Sequence, residues 1–182
     1  MKKQSKRVAI TKNRIETAYL DILAEEPIGK ITVKTVCSRS GVNRTTFYKY
    51  YKDAADLGMI VRKGMLDEVE ALLKETVPPD YRDLFEFISQ FVSRIYREER
   101  MQRFFVLYRE NEFRNYADQL VRKYYYLPKY GMQPTDEVKI QAAYCYSAMI
   151  GLMELWIDRG LVYSPEQISN CIISNSKRIM NL

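Results

Sequence analysis

Apolar positions along this chain recur every three to four residues and almost nowhere alternate, so the pattern is helical from end to end. Ile15, Ala18, Tyr19, Ile22 and Leu23 mark the inner face of a first helix, closed by Pro27 and Gly29. Thr32, a good capping residue, opens a second helix with Val33, Val36 and Cys37 inward, and Gly41 ends it. A third, short helix starting at Asn43 carries Phe47 and Tyr51 inward four residues apart. Asp53 caps a fourth over about 54–75, with Leu57, Val61, Met65, Val69 and Leu72 on one side and Pro78-Pro79 at its end. Further helices are predicted at about 81–97, 101–109, 112–126, 136–159 and 165–180, about nine in total. The expected fold class is all-α, a three-helix N-terminal unit followed by a larger helical domain.

The second and third helices, each about seven or eight residues long and joined at Gly41-Val42, make a helix-turn-helix pattern over about 32–52. Gly41 can take the positive φ that such a turn needs. With Val36, Cys37, Val42 and Phe47 locking the pair together, Arg44, Thr45, Thr46, Tyr48, Lys49, Tyr50 and Lys52 are left to face outward. Those side chains suit DNA: Arg and Lys for guanine edges and phosphates, Thr for phosphate and the thymine methyl, Tyr hydroxyls for phosphate oxygens.

Charge sharpens this reading. The chain has 182 residues and a formal net charge of +6. Residues 1–52 hold 12 basic against 4 acidic side chains, net +8, so the excess sits on the first three helices. Lys2, Lys3, Lys6 and Arg7 read as a solvated tail; Arg39, Arg44, Lys49 and Lys52 form a patch on structure, which points to a polyanion partner. There is no histidine, which removes Ser-His and Cys-His nucleophiles and HExxH zinc sites, and the seven glycines form no phosphate loop. No catalytic site, cofactor or metal is expected. Cys37, Cys145 and Cys171 read as buried reduced thiols. The longest uncharged stretch, Ile140 to Met153, is too short for a membrane helix, and no secretion signal opens the chain, so a cytoplasmic protein with no membrane partner is expected.

The stretch ITVKTVCSRSGVNRTTFYKYYKDAADL resembles the DNA-binding domain of the TetR/AcrR-type transcriptional regulators. It has Thr32 opening the second helix, Gly41-Val42 in the turn, Thr46-Phe47-Tyr48 in the recognition helix and Tyr50-Tyr51-Lys52-Asp53 leading to Leu57. The resemblance implies a DNA-binding domain over 9–69, a ligand-binding and dimerisation domain over 70–182, and a homodimer on an inverted-repeat operator in double-stranded DNA. It implies a repressor released by a small-molecule effector, with Thr32, Arg44, Thr45, Thr46, Tyr48, Lys49, Tyr50 and Lys52 as DNA contacts. Members commonly carry Lys-Glu where this chain has Ala54-Ala55, which leaves the phosphate contact of that Lys to Lys52.

The C-terminal half supports two further expectations. The helix over 136–159 is apolar nearly all round between Ala142 and Ile157, with Ala143, Ser147, Ala148 and Gly151 allowing close approach, which suits a dimer through the last two helices. The final helix puts Ile168, Cys171, Ile172, Asn175 and Ile179 on one face. Most aromatics fall between residues 81 and 163, which suggests an effector site lined by some of Phe87, Phe91, Phe104, Phe105, Tyr108, Tyr124, Tyr144 and Trp156. A small aromatic or hydrophobic effector fits, cationic if Glu110 and Glu112 lie close. Two alternatives stay open: a regulator of the same fold controlled by a protein partner, and a small helical enzyme using Tyr, Lys and carboxylates.

Overall fold

The computed structural model describes residues 2–76, 81–125 and 135–180, with side chains over 6–74, 85–121, 123 and 135–180. These residues form ten α-helices and one 3-10 turn (Ile28–Lys30), without a strand. The head is α1 (Lys2–Glu25), α2 (Val33–Ser40) and α3 (Arg44–Phe47); α4 (Ala54–Thr76) leads out of it and runs unbroken through residue 70. Then follow α5 (Tyr81–Arg97), α6 (Glu99–Gln102), α7 (Phe104–Tyr108), α8 (Asn111–Tyr125), α9 (Asp136–Asp158) and α10 (Pro165–Met180). α4 packs on α1 on one side and on α5 and α8 on the other, and α10 packs on α5 and α9. The inner faces expected for α1 and α4 are buried apart from half-buried Leu23, and they belong to one continuous apolar core.

Local chemistry sets the boundaries. The Thr35 N–H donates to Thr32 Oγ1 at 3.1 Å while the Thr32 N–H donates to Thr35 Oγ1 at 3.0 Å, a reciprocal cap on α2. Asn43 Oδ1 accepts from the Thr46 N–H, Asp53 Oδ1 from the Asp56 N–H and Thr135 Oγ1 from the Val138 N–H, capping α3, α4 and α9. Gly41 ends α2 with φ +65°, and Arg14 closes that end by donating to the Ser40 carbonyl at 2.7 Å. A Cβ at Gly41 would lie 2.8 Å from the Arg14 guanidinium. Gly41→Ala should therefore cost about 1–2 kcal/mol, mostly for a side chain in the left-handed region. Its thermal midpoint is the measurement, and melting alongside the wild type would mean that the turn relaxes freely.

Several expectations shift. α3 is a four-residue helix, shorter than expected, because after Phe47 the ladder tightens: Lys49 donates to the Thr46 carbonyl and Tyr50 to that of Phe47. The helix expected over 101–109 is two, α6 and α7, meeting at Arg103, whose side chain reaches Asp21 at 2.6 Å and Glu99 at 2.8 Å. On α10 the buried positions are Ile168, Ser169, Ile172 and Ser176, while Cys171 and Asn175 face out and Ile179 is half-buried. The thiols are free as expected, but Cys37 and Cys145 are only half-buried and Cys171 is exposed. Cys171 lies one residue round from the α10 stripe that α5 and α9 cover.

Head and C-terminal helices are joined by charged contacts. Arg62 on α4 donates twice to Glu110, at 2.8 and 3.0 Å, just ahead of α8. Arg100 on α6 donates to Glu16 of α1 at 3.1 Å and to Glu68 of α4 at 2.7 Å. Tyr51 completes the cluster by donating to the other Glu16 oxygen at 3.0 Å. Burial and the Glu16 carboxylate hold the Tyr51 phenol well above its ordinary pKa, so it stays a donor.

Candidate nucleic-acid interface

The outward row of the second helix pair follows from what its inner row does. Phe47 and Tyr51 are buried in tilted contact with each other, and Phe47 is edge-on to Tyr48, so the backbone between them turns the intervening side chains out. Arg44, Thr45, Tyr48, Lys49 and Lys52 are exposed, Tyr48 at 56%. Thr46 and Tyr50 are half-buried. None of the Arg44, Lys49 and Lys52 side chains has a carboxylate partner among the described residues, so their charge is available to a ligand. Arg39 differs: Glu25 takes its guanidinium in two hydrogen bonds of 2.9 and 2.6 Å, which withdraws it from the patch. Thr32 is exposed at the start of α2; because Thr35 Oγ1 donates to the Thr32 carbonyl, the Thr32 hydroxyl is the donor of the 3.2 Å contact between the two hydroxyls, and an outside acceptor would have to compete for its proton.

Lys12 on α1 extends this row without having been singled out from the sequence. Its ammonium lies 5.6 Å from the centroid of the Tyr50 ring, bringing one more exposed cation beside the end of α3. Only the charge excess of the first fifty residues hinted at it.

The aromatic candidates of the C-terminal half part company. Phe87, Phe91, Phe104 and Phe105 are core residues, stacked or edge-on to one another. Trp156 is buried, stacked on Tyr96 and donating to the Tyr163 carbonyl at 3.0 Å. Tyr144 points outward, 62% exposed. The Tyr124 side chain lies outside the described residues. Among the described members of this group, Tyr108 alone lines an open cleft of about 340 Å³ between α7, α8 and α9, with Arg114, Asp118, Ser147, Tyr146, Gly151 and Glu154. There the Tyr108 and Tyr146 hydroxyls both donate to Asp118 Oδ1, at 2.7 and 2.8 Å, and stand 3.2 Å from each other. Burial pushes the Tyr108 phenol up to about 12 and raises that of Tyr146 further, so both remain donors at neutral pH. Sequence carries no signal for this trio, whose members sit on three helices. Glu110 is taken by Arg62 and Glu112 is exposed at the start of α8, and neither lines the cleft.

α9 also keeps an apolar face uncovered. Ile140 (70% exposed), Tyr144 and Leu155 (49%) run along it with Ala143, Ser147, Ala148 and Gly151 between them, all exposed. A Cβ at Gly151 would meet nothing within 4 Å. Next to it, α10 exposes Cys171, Ser174, Asn175 and Arg178. An apolar stripe of this length ordinarily marks a contact with another molecule.

No protein-family model matches the chain. An uncharacterised HTH-type transcriptional regulator of Bacillus subtilis, YxbF, is 25% identical over 175 residues, covering 92% of this chain and 45% of that protein. The chain thus spans less than half the length of this curated relative. Among solved structures, SmeT, the repressor of the Stenotrophomonas maltophilia multidrug efflux pump SmeDEF, superposes with a TM-score of 0.63 at 14% identity, covering 92% of this chain and 88% of SmeT. A TetR/AcrR-family transcriptional regulator from Aquifex aeolicus gives 0.58 at 16% identity, covering 93% and 99%. The fold is that of these regulators, with an N-terminal helix-turn-helix and a C-terminal helical domain.

Proposed function

We propose that this chain, built on the TetR/AcrR regulator fold, is a dimeric DNA-binding transcriptional repressor released by a small-molecule effector. The observation that carries this reading is the exposed row of Arg44, Thr45, Tyr48, Lys49 and Lys52, whose three cations have no carboxylate partner among the described residues, on a helix pair anchored from behind by Phe47 and Tyr51. Residues 9–69 act as the DNA-binding unit and 70–182 as the effector and dimerisation unit, with α4 shared between them. α3 enters the major groove, its N-terminal side chains reach base edges, and Thr32, Lys49, Tyr50 and Lys52 hold phosphates on either side. Two copies associate through the open faces of α9 and α10, so the two heads read an inverted repeat.

Release follows from the joints between the units. An effector in the cleft touches Tyr108 and Arg114, which flank Glu110 in sequence, and Glu110 grips Arg62 on α4. A shift of that segment tilts α4 and moves the heads out of register with two successive grooves.

Footprinting of the purified protein on DNA flanking its own gene tests the reading; protection of an inverted repeat is expected, and absence of any protected site overturns it. Two variants separate the roles of single residues. Lys52→Ala should weaken all sequences alike and lower the salt slope by about 1, as expected for one phosphate contact. Arg44→Ala should cost roughly 1–3 kcal/mol and relax preference at one base pair. Equal losses on operator and random DNA would remove Arg44 from base readout.

A further inference from the structure

From the charges in the cleft between α7, α8 and α9 we infer that its ligand is an organic cation with an aromatic or alkyl body, held by Asp118 and Glu154. The inference rests on the reading above that this domain takes an effector, and it names the chemistry of that effector.

Asp118 is the centre of the argument. Both tyrosine hydroxyls donate to its Oδ1, and no described residue donates to Oδ2. A carboxylate organised on one oxygen and open on the other is an acceptor set for a cation. Glu154 brings a second carboxylate to the same cleft and has no partner among the described residues. Arg114, the one cation among the described lining residues, does not neutralise them. Arg114 donates through Nε to the Tyr108 carbonyl at 3.1 Å and lies 5.0 Å from the centroid of the Tyr108 ring, forming no ion pair with either acid. Among the described residues that line the cleft, two carboxylates stand against one guanidinium, a net negative charge.

An anionic ligand fares badly by the same count. It would meet both carboxylates, and the two phenol protons that could receive it are already given to Asp118. A neutral ligand would leave Glu154 and Asp118 Oδ2 without partners as it displaced their water. A cation answers both acids, and the half-buried Tyr146 ring adds an aromatic surface beside them, whereas the Tyr108 ring is already taken by Arg114, Phe104 and Phe105. The volume, about 340 Å³, suits a molecule of a few rings, and Ile150 and Val121 give its body apolar wall.

The test uses two ions of one shape and opposite charge, tetraphenylphosphonium and tetraphenylborate, titrated calorimetrically into the purified full-length protein. The phosphonium should bind and the borate should not. Asp118→Asn keeps an oxygen for both tyrosines while removing the charge, and should weaken the phosphonium by about tenfold or more, the loss of one charge-assisted contact. Glu154→Gln, which removes a carboxylate that no tyrosine hydroxyl organises, should weaken it by less. Equal binding of the two ions, preference for the borate, or undiminished phosphonium affinity in both variants would overturn the cation site. Operator binding is measured separately on the unliganded protein. If DNA is bound but the phosphonium is not, the inference fails and the regulator reading stands; if charge-selective binding occurs without DNA binding, the reading of the head fails and the cation site stands.

Discussion

Replacing Gly151 by Trp should split the dimer and lower operator affinity on the order of 10²-fold or more, because each head would then bind its half-site without the effective concentration its partner provides. The variant is informative because nothing within the protomer resists it. A Cβ at Gly151 would meet nothing within 4 Å, and the residue sits on an exposed face between Ser147 and Leu155. Gly151 also lines the cleft between α7, α8 and α9, so it is the loss of the dimer on sedimentation, rather than of operator binding alone, that reports a neighbour the single chain lacks. Leu155→Arg, on the same stripe, should act likewise by placing a charge in an apolar contact. Sedimentation gives the oligomeric state, and gel shifts on a full inverted repeat and on a half-site give the two affinities. Variants that stay dimeric and bind the repeat as tightly as the wild type would place the interface elsewhere.

Phe47→Ala should cost about 3–5 kcal/mol, a large share of the stability of a domain this size, and should abolish DNA binding along with the head's fold. Phe47 is fully buried, its ring 5.6 Å from that of Tyr48 and 5.5 Å from that of Tyr51. It is the buried residue of α3 and ties that four-residue helix, which packs on α2, into the core, since so short a helix has little stability of its own. Phe47→Leu fills most of the same space and should cost about 1.5 kcal/mol or less, leaving operator binding measurable. Thermal midpoints of the two variants decide the matter: similar small losses would mean that α3 is held by its cap at Asn43 rather than by this ring.

The head was largely legible from sequence because its information is local. A Thr or Asn cap, a glycine at a required positive φ and apolar residues four apart act within one or two turns, and Thr32, Gly41, Asn43, Phe47 and Tyr51 behave as their types dictate. The outward row then follows by subtraction from the inward one. Local reasoning overran at α3 and at 101–109, where apolar periodicity continues but the hydrogen-bond ladder does not.

In the C-terminal half, sequence by itself determined where the helices lie, that α9 is apolar on more than one side and that most aromatics gather there. Which aromatic packs and which lines a cleft was decided only by the tertiary structure. Periodicity gives a helix its phase only when one face is polar, and α9 has little such contrast, so Tyr144 and Tyr146, two positions apart, could not be told apart until packing turned one outward and the other onto Asp118. The same holds for the charged joints. Arg62 finds Glu110 across 48 residues and Arg100 finds Glu16 across 84, separations at which no spacing rule operates and only the packing of α1, α4 and α6 to α8 can choose the partner.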